Sequence, residues 1–104
     1  MVERYVFIKL KDEYATEEGR QEVIERTFGD LRAVPGLKKL IVGNPADEAA
    51  ERSWDISIVA VFDRLEDVAP YLAHPDHRRY VDEFLKPRRE IIKYWNFDVR
   101  VEEL

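Results

Sequence analysis

Ser53-Trp54-Asp55-Ile56-Ser57-Ile58-Val59-Ala60-Val61-Phe62-Asp63 is the stretch that decides how this chain folds. Trp54, Ile56, Ile58, Ala60 and Phe62 alternate with Asp55, Ser57, Val59, Val61 and Asp63. A period of two in a run rich in β-branched and aromatic residues predicts a strand with one buried face. The other face also carries Val59 and Val61, where a wet face would be polar.

Toward the N-terminus, residues 2–11 read as a strand with Val6, Ile8 and Leu10 on one side and Tyr5 and Phe7 on the other. Thr16 is placed to cap a helix, with Glu17 and Glu18 in the first turn, where the helix dipole favours negative charge. Val23, Ile24, Thr27, Phe28, Leu31 and Val34 then recur at helical spacing. Gly29 costs that helix about 1 kcal/mol relative to alanine, which points to close packing there. Pro35-Gly36 ends it, Leu37–Val42 form a second strand, and the polar segment 46–52 reads as a loop.

Toward the C-terminus, a short helix is expected around 65–73, with either a late start, an N-cap at Asp67 placing Pro70 in the first turn, or a kink at Pro70. A second begins near residue 75, buries Tyr80, Val81, Phe84 and Leu85, and is kinked or stopped by Pro87. Helical character is expected to resume through Ile91 and Ile92. Residues 94–102 form a last strand, with Trp95, Phe97, Val99 and Val101 opposite Tyr94, Asn96, Asp98 and Arg100. Trp54 and Trp95 read as core, with the lining of an aromatic ligand site as their functional alternative.

The order β-α-β-β-α-β predicts a ferredoxin-like α+β domain spanning 1–104, a four-stranded antiparallel sheet with both helices on one face. Tyr5, Phe7, Val59 and Val61 then form an apolar patch on the face the helices leave bare, which predicts a homodimer joined through the sheets. The net charge of −5 argues against a nucleic-acid partner. Absence of cysteine removes thiolate catalysis and cysteine-ligated metals. No apolar run reaches membrane-spanning length, and the first residues lack signal-peptide order, so a cytoplasmic protein is expected.

The chemistry is concentrated in Tyr71-Leu72-Ala73-His74-Pro75-Asp76-His77, which holds both histidines. With Pro75 at the first helical position, His77 falls in the first turn, where the dipole disfavours imidazolium. A neutral histidine beside a phenol suits general acid–base work on a carbonyl compound. Tyr71 would orient or polarise the substrate oxygen, and Arg4, if the fold brings it near, would hold a carboxylate or stabilise an enolate. His74, before proline, reads first as a turn and capping residue. His74 and His77 lack an obvious third ligand, so no metal is expected, and no cofactor either. Lys86, Arg78, Arg79, Arg88 and Arg89 form a basic cluster, read as a solvated face or as a means of steering anionic substrates.

The chain resembles the stress-responsive A/B barrel (Dabb) family. The resemblance is carried by Val6-Phe7-Ile8-Lys9-Leu10-Lys11-Asp12, Val34-Pro35-Gly36-Leu37, Val42-Gly43-Asn44, Phe62, and the turn from Tyr71 to His77. It implies a dimeric α+β barrel of ferredoxin-like protomers. A plant polyketide cyclase of similar type uses a tyrosine and a histidine that fall on Tyr71 and His77, and a first-strand histidine whose place is taken here by Arg4. A guanidinium is not a base near neutral pH, so that part of the chemistry does not transfer. The resulting expectation is a dimer that binds a small, largely apolar carbonyl compound between helices and sheet. His77, Tyr71 and Arg4 are its expected catalytic residues, and His74, Tyr5, Phe7, Trp54, Tyr80 and Phe84 its ligand-binding side chains. A non-catalytic ligand-sequestering dimer and a cofactor-independent monooxygenase are the alternatives.

Overall fold

The structure, a computed structural model, describes residues 1–104. Strand β1 (Val2–Leu10) is followed by helix α1 (Glu17–Leu31), β2 (Lys39–Gly43), α2 (Glu48–Ser53) and β3 (Ile56–Phe62). A 3-10 turn (Leu65–Asp67) leads into α3 (Val68–Ala73) and α4 (Pro75–Arg79). The last helix widens into a π segment (Tyr80–Leu85), closes with α5 (Lys86–Arg88), and passes directly into β4 (Arg89–Asp98). The sheet order is β2-β3-β1-β4 and every pairing is antiparallel, the ferredoxin-like arrangement.

The alternation read from β3 sets the layers. Ile56, Ile58, Ala60 and Phe62 face the helices together with Ile8 and Leu10 of β1. Val23 and Leu31 of α1, Val68 and Tyr71 of α3, and Tyr80, Phe84 and Leu85 close over them. Each large side chain sealed in this way contributes about 1.5–3 kcal/mol relative to exposure. Thr16 caps α1 by accepting from the Gly19 amide at 3.0 Å. Gly36 takes φ +90°, a conformation that disfavours a side chain, and turns the chain into β2.

Several local expectations are corrected. Segment 46–52 is mostly helix α2, because Asp47 accepts from the Ala50 amide at 2.9 Å and starts it. Gly29 is not a site of close packing: a Cβ there meets nothing within 4 Å. Ile91 and Ile92 are strand residues, since β4 begins at Arg89 and pairs with β1 along its length.

The π segment lies just ahead of Pro87, which cannot make the ordinary bond to the carbonyl four residues back; Lys86 N–H reaches Val81 O instead. At the other end of the same region, α3 starts after Asp67 and Pro70 falls in its first turn, but a 3-10 turn from Leu65 precedes it and the Asp67 side chain makes no capping bond.

The two tryptophans are corrected as well. The alternation of β3 fails at its start, where Asp55 is the buried residue and Trp54 turns to the opposite face. The Asp55 carboxylate accepts from Leu10 N–H at 2.8 Å and pairs with Arg20 at 3.4 Å, which draws it inward. Trp54 instead packs on Phe7, with ring centroids 5.8 Å apart. Trp95 and Phe97 are each 51% exposed on that same bare face, beside Phe7 and Tyr5 respectively. The face that the helices leave open is therefore more aromatic than Tyr5, Phe7, Val59 and Val61 alone indicate.

Candidate functional site

A cavity of about 330 Å³ lies between the helices and the sheet, under the last helix and over β1, β3 and β4. Its walls are mainly apolar, with Val6, Leu31, Ile58, Leu72, Leu85 and Ile92 among them. Arg4, Tyr71 and His77, from three different elements, meet in this cavity.

His77 is held by local geometry. His74 occupies extended backbone and caps α4, its Nδ1 accepting from the Asp76 amide at 3.1 Å. Pro75 is the first helical residue, which places His77 two positions on. The His77 Nδ1 lies 3.2 Å from the carbonyl oxygen of Leu72. A carbonyl only accepts, so Nδ1 carries the proton and neutral His77 keeps its lone pair on Nε2. Burial pushes its pKa below the ordinary value; the Leu72 bond opposes this, and the nearby Arg4 charge adds to it. The neutrality expected from the helix dipole thus has a second source in desolvation.

Tyr71 sits edge-on to Phe62 at 5.0 Å and against His77 at 4.6 Å between ring centroids. Burial raises its pKa to about 12, with Arg4 opposing, so at neutral pH it is a hydrogen-bond donor and not a phenolate. Arg4 projects from β1, donates through Nη1 to Asn96 Oδ1 at 3.1 Å, and lies 4.6 Å over the ring of Tyr94. Asn96 and Tyr94 come from the neighbouring strand, Asn96 directly opposite Arg4 in the register.

The only buried side-chain nitrogen or oxygen sealed away without a partner is Arg20 Nε. The Tyr71 hydroxyl, His77 Nε2, and Arg4 Nε and Nη2 make no hydrogen bond within the protein. These atoms are consequently open, and the cavity is the space they share. The arrangement can donate to an oxygen, take up a proton and stabilise negative charge in one apolar pocket.

Of the other expected site residues, Tyr80 lines the cavity and its hydroxyl bonds Thr27 Oγ1 at 2.5 Å. Phe84 is buried behind it, stacked on Tyr80, with Arg26 and Arg88 against its ring. His74 serves as the cap. Tyr5, Phe7 and Trp54 lie across the sheet and do not meet the cavity. The basic cluster divides: Arg78 pairs with Asp82, Arg79 with Asp76 and Arg88 with Glu22, while Arg89 lines the cavity. The sequence places Asn96 and Tyr94 only on one side of the last strand and Arg89 only in the basic cluster, and assigns none of them to the pocket. The signal for Asn96 was the strand register, which the sequence does not state. No group of three or more histidine, aspartate or glutamate side chains could hold a metal ion, and no helix is long and apolar enough to cross a membrane.

An antiparallel sheet covered on one face by helices, with a mixed polar and apolar pocket beneath them, defines a ferredoxin-like α+β architecture. The chain belongs to the stress responsive A/B barrel domain family, whose model matches residues 2–100. No curated protein matches it. Among solved structures it is similar to a protein from Arabidopsis thaliana, at 20% identity over 100% of both chains with a TM-score of 0.80. It is similar to a dimeric ferredoxin-like protein of unknown function from Thermobifida fusca, at 23% identity over 94% of this chain and 90% of that one, TM-score 0.79. A third is the hydroxynitrile lyase of Passiflora edulis, at 20% identity over 99% of this chain and 96% of that one, TM-score 0.76. At these identities the likeness establishes the shared fold.

Proposed function

We propose that this protein is a homodimer, joined through the bare faces of its sheets, whose cavity binds a small, largely apolar carbonyl compound and carries out cofactor-free acid–base chemistry on it. The convergence of Arg4, Tyr71 and His77 on one pocket, each with a polar atom that the protein leaves unpartnered, carries this reading. His77 Nε2 is the base, since its ring is neutral and its other nitrogen is occupied. The Tyr71 hydroxyl donates to the substrate oxygen on which negative charge develops, and Arg4 supplies positive charge in the pocket. Similarity to a protein of the same fold named a hydroxynitrile lyase supports this class of reaction, since cleavage of a hydroxynitrile leaves a carbonyl compound. The dimer is supported by the aromatic face and by the similar protein described as dimeric.

The test is exchange of the α-protons of small aryl and alkyl ketones into D₂O, followed by NMR. Exchange above the buffer rate that is lost in His77→Ala and falls steeply in Tyr71→Phe is the expected result. Retention of ligand binding with no exchange for any compound would instead make the protein a ligand-sequestering dimer.

A further inference from the structure

We infer that the cavity takes its ligand as an anion, a small aryl or alkyl carboxylate whose charged group sits on Arg4. This rests on the reading of the cavity as a ligand site. Arg4 is 8% exposed, yet no ion pair in the protein includes it. Its protein partners are a neutral amide oxygen and an aromatic ring. A buried guanidinium without a counter-charge is costly, and unlike a buried lysine it does not escape by losing its proton.

Arg20 supplies the internal comparison. Its side chain is nearly as buried, and there the fold provides Asp55 at 3.4 Å. The chain thus neutralises the arginine that joins its elements and leaves the one in the cavity unneutralised. The cavity contains no aspartate or glutamate at all, and its second charged residue, Arg89, is another unpaired arginine. Leu10 of β1 pairs with Arg89, whereas Arg4 lies six residues earlier on the same strand, so the two cations stand toward opposite ends of the pocket. Half-buried Arg89 is solvated enough to attract an anion, whereas Arg4 is the one that needs it.

Arg4 Nε and Nη2 form the planar fork from which a carboxylate, like a phosphate, accepts two parallel bonds. The rest of the pocket selects the carboxylate over an inorganic anion. The remaining walls, eleven hydrophobic residues of fourteen, match an apolar body and offer a hydrated ion little.

The experiment is calorimetric titration of the full chain with phenylacetate, with its uncharged counterpart phenylacetamide, and with inorganic phosphate. Phenylacetate is expected to bind at least about tenfold more tightly than the amide, as a charge-assisted pair requires. Arg4→Met is expected to bring the acid and the amide to similar affinity. Equal affinity of acid and amide for the unaltered protein overturns the inference, and this arm holds even if Arg4→Met fails to fold. Binding of phosphate as tightly as phenylacetate overturns it too. Because the measurement is of binding, a preference for the acid stands whether or not proton exchange is ever observed, and proton exchange without that preference leaves the catalytic reading intact.

Discussion

The imidazole of His77 packs against the phenol of Tyr71 with ring centroids 4.6 Å apart, and each ring keeps one polar atom free of any bond to the protein. The contact holds the hydroxyl and the imidazole in a fixed relation to each other. Tyr71→Phe keeps the packing on His77 and Phe62 and removes only the hydroxyl. Because that hydroxyl has no partner to abandon, unfolding in urea is expected to change by less than about 1 kcal/mol. Affinity for a carbonyl ligand, read by titration calorimetry, is expected to fall about tenfold.

The lowered pKa of His77 carries a definite pH dependence. Folding disfavours its protonation, so the unfolded chain binds more protons as pH drops below the ordinary histidine value of 6.5. Stability from this group is complete above pH 6.5 and declines as pH falls from there through the folded value. NMR titration of the ring is expected to show a midpoint below 6.5. His77→Asn is expected to flatten the dependence of the urea midpoint on pH between 7.5 and 5.5, relative to the unaltered protein, in values chosen to bracket about one unit either side of 6.5. An unchanged slope would mean that burial does not govern this histidine.

Trp95 and Phe97 are the test of assembly. The protein is expected to sediment at twice its 12.4 kDa chain mass. Trp95→Glu combined with Phe97→Glu is expected to yield a folded monomer, because like charges would face each other across the sheets while the core beneath the helices is untouched. Sedimentation velocity at several concentrations reads the outcome directly.

Asp55 lies far from the proposed chemistry but joins three elements, accepting from Leu10 N–H and pairing with Arg20 of α1. Asp55→Ala leaves a buried guanidinium without its partner and an amide without its acceptor. A loss of about 3–5 kcal/mol is expected on denaturant unfolding. Retention of full stability would show that water replaces the carboxylate.

Two glycines are expected to respond oppositely to alanine. Gly29→Ala, in the interior of α1 with open space around it, is expected to stabilise by up to about 1 kcal/mol. Gly36→Ala, at φ +90°, is expected to destabilise by at least about 1 kcal/mol. Thermal melts of the two variants decide both.

Much of the architecture was legible because it depends on periodicity. The alternation through Ile56, Ile58, Ala60 and Phe62, the cap at Thr16, and the late start that accommodates Pro70 are short-range consequences of side-chain type. Errors arose where a distant partner overruled the local pattern. Asp55 is buried against the period because Arg20 and Leu10 N–H receive its carboxylate. Ile91 and Ile92 have helical spacing with what precedes them, yet β1 has an open edge that recruits them as strand. Polar residues 46–52 lacked an apolar face to announce a helix, and Asp47 supplied a cap that starts one anyway.

By itself, then, the sequence determined the order of elements, the side of each strand that goes under the helices, and the turn that carries Tyr71 and His77. These follow from local backbone preference and from the removal of apolar surface from water, both of which act along the chain. Only the tertiary structure decided that Arg4 lies in the same pocket as that turn, that Asn96 and Tyr94 hold it, that Arg89 lines the pocket with it, and that Tyr5, Phe7 and Trp54 lie on the far side of the sheet. Those relations depend on strand register and on which charges find partners across the fold, and both are set by contacts between residues that are distant in the chain.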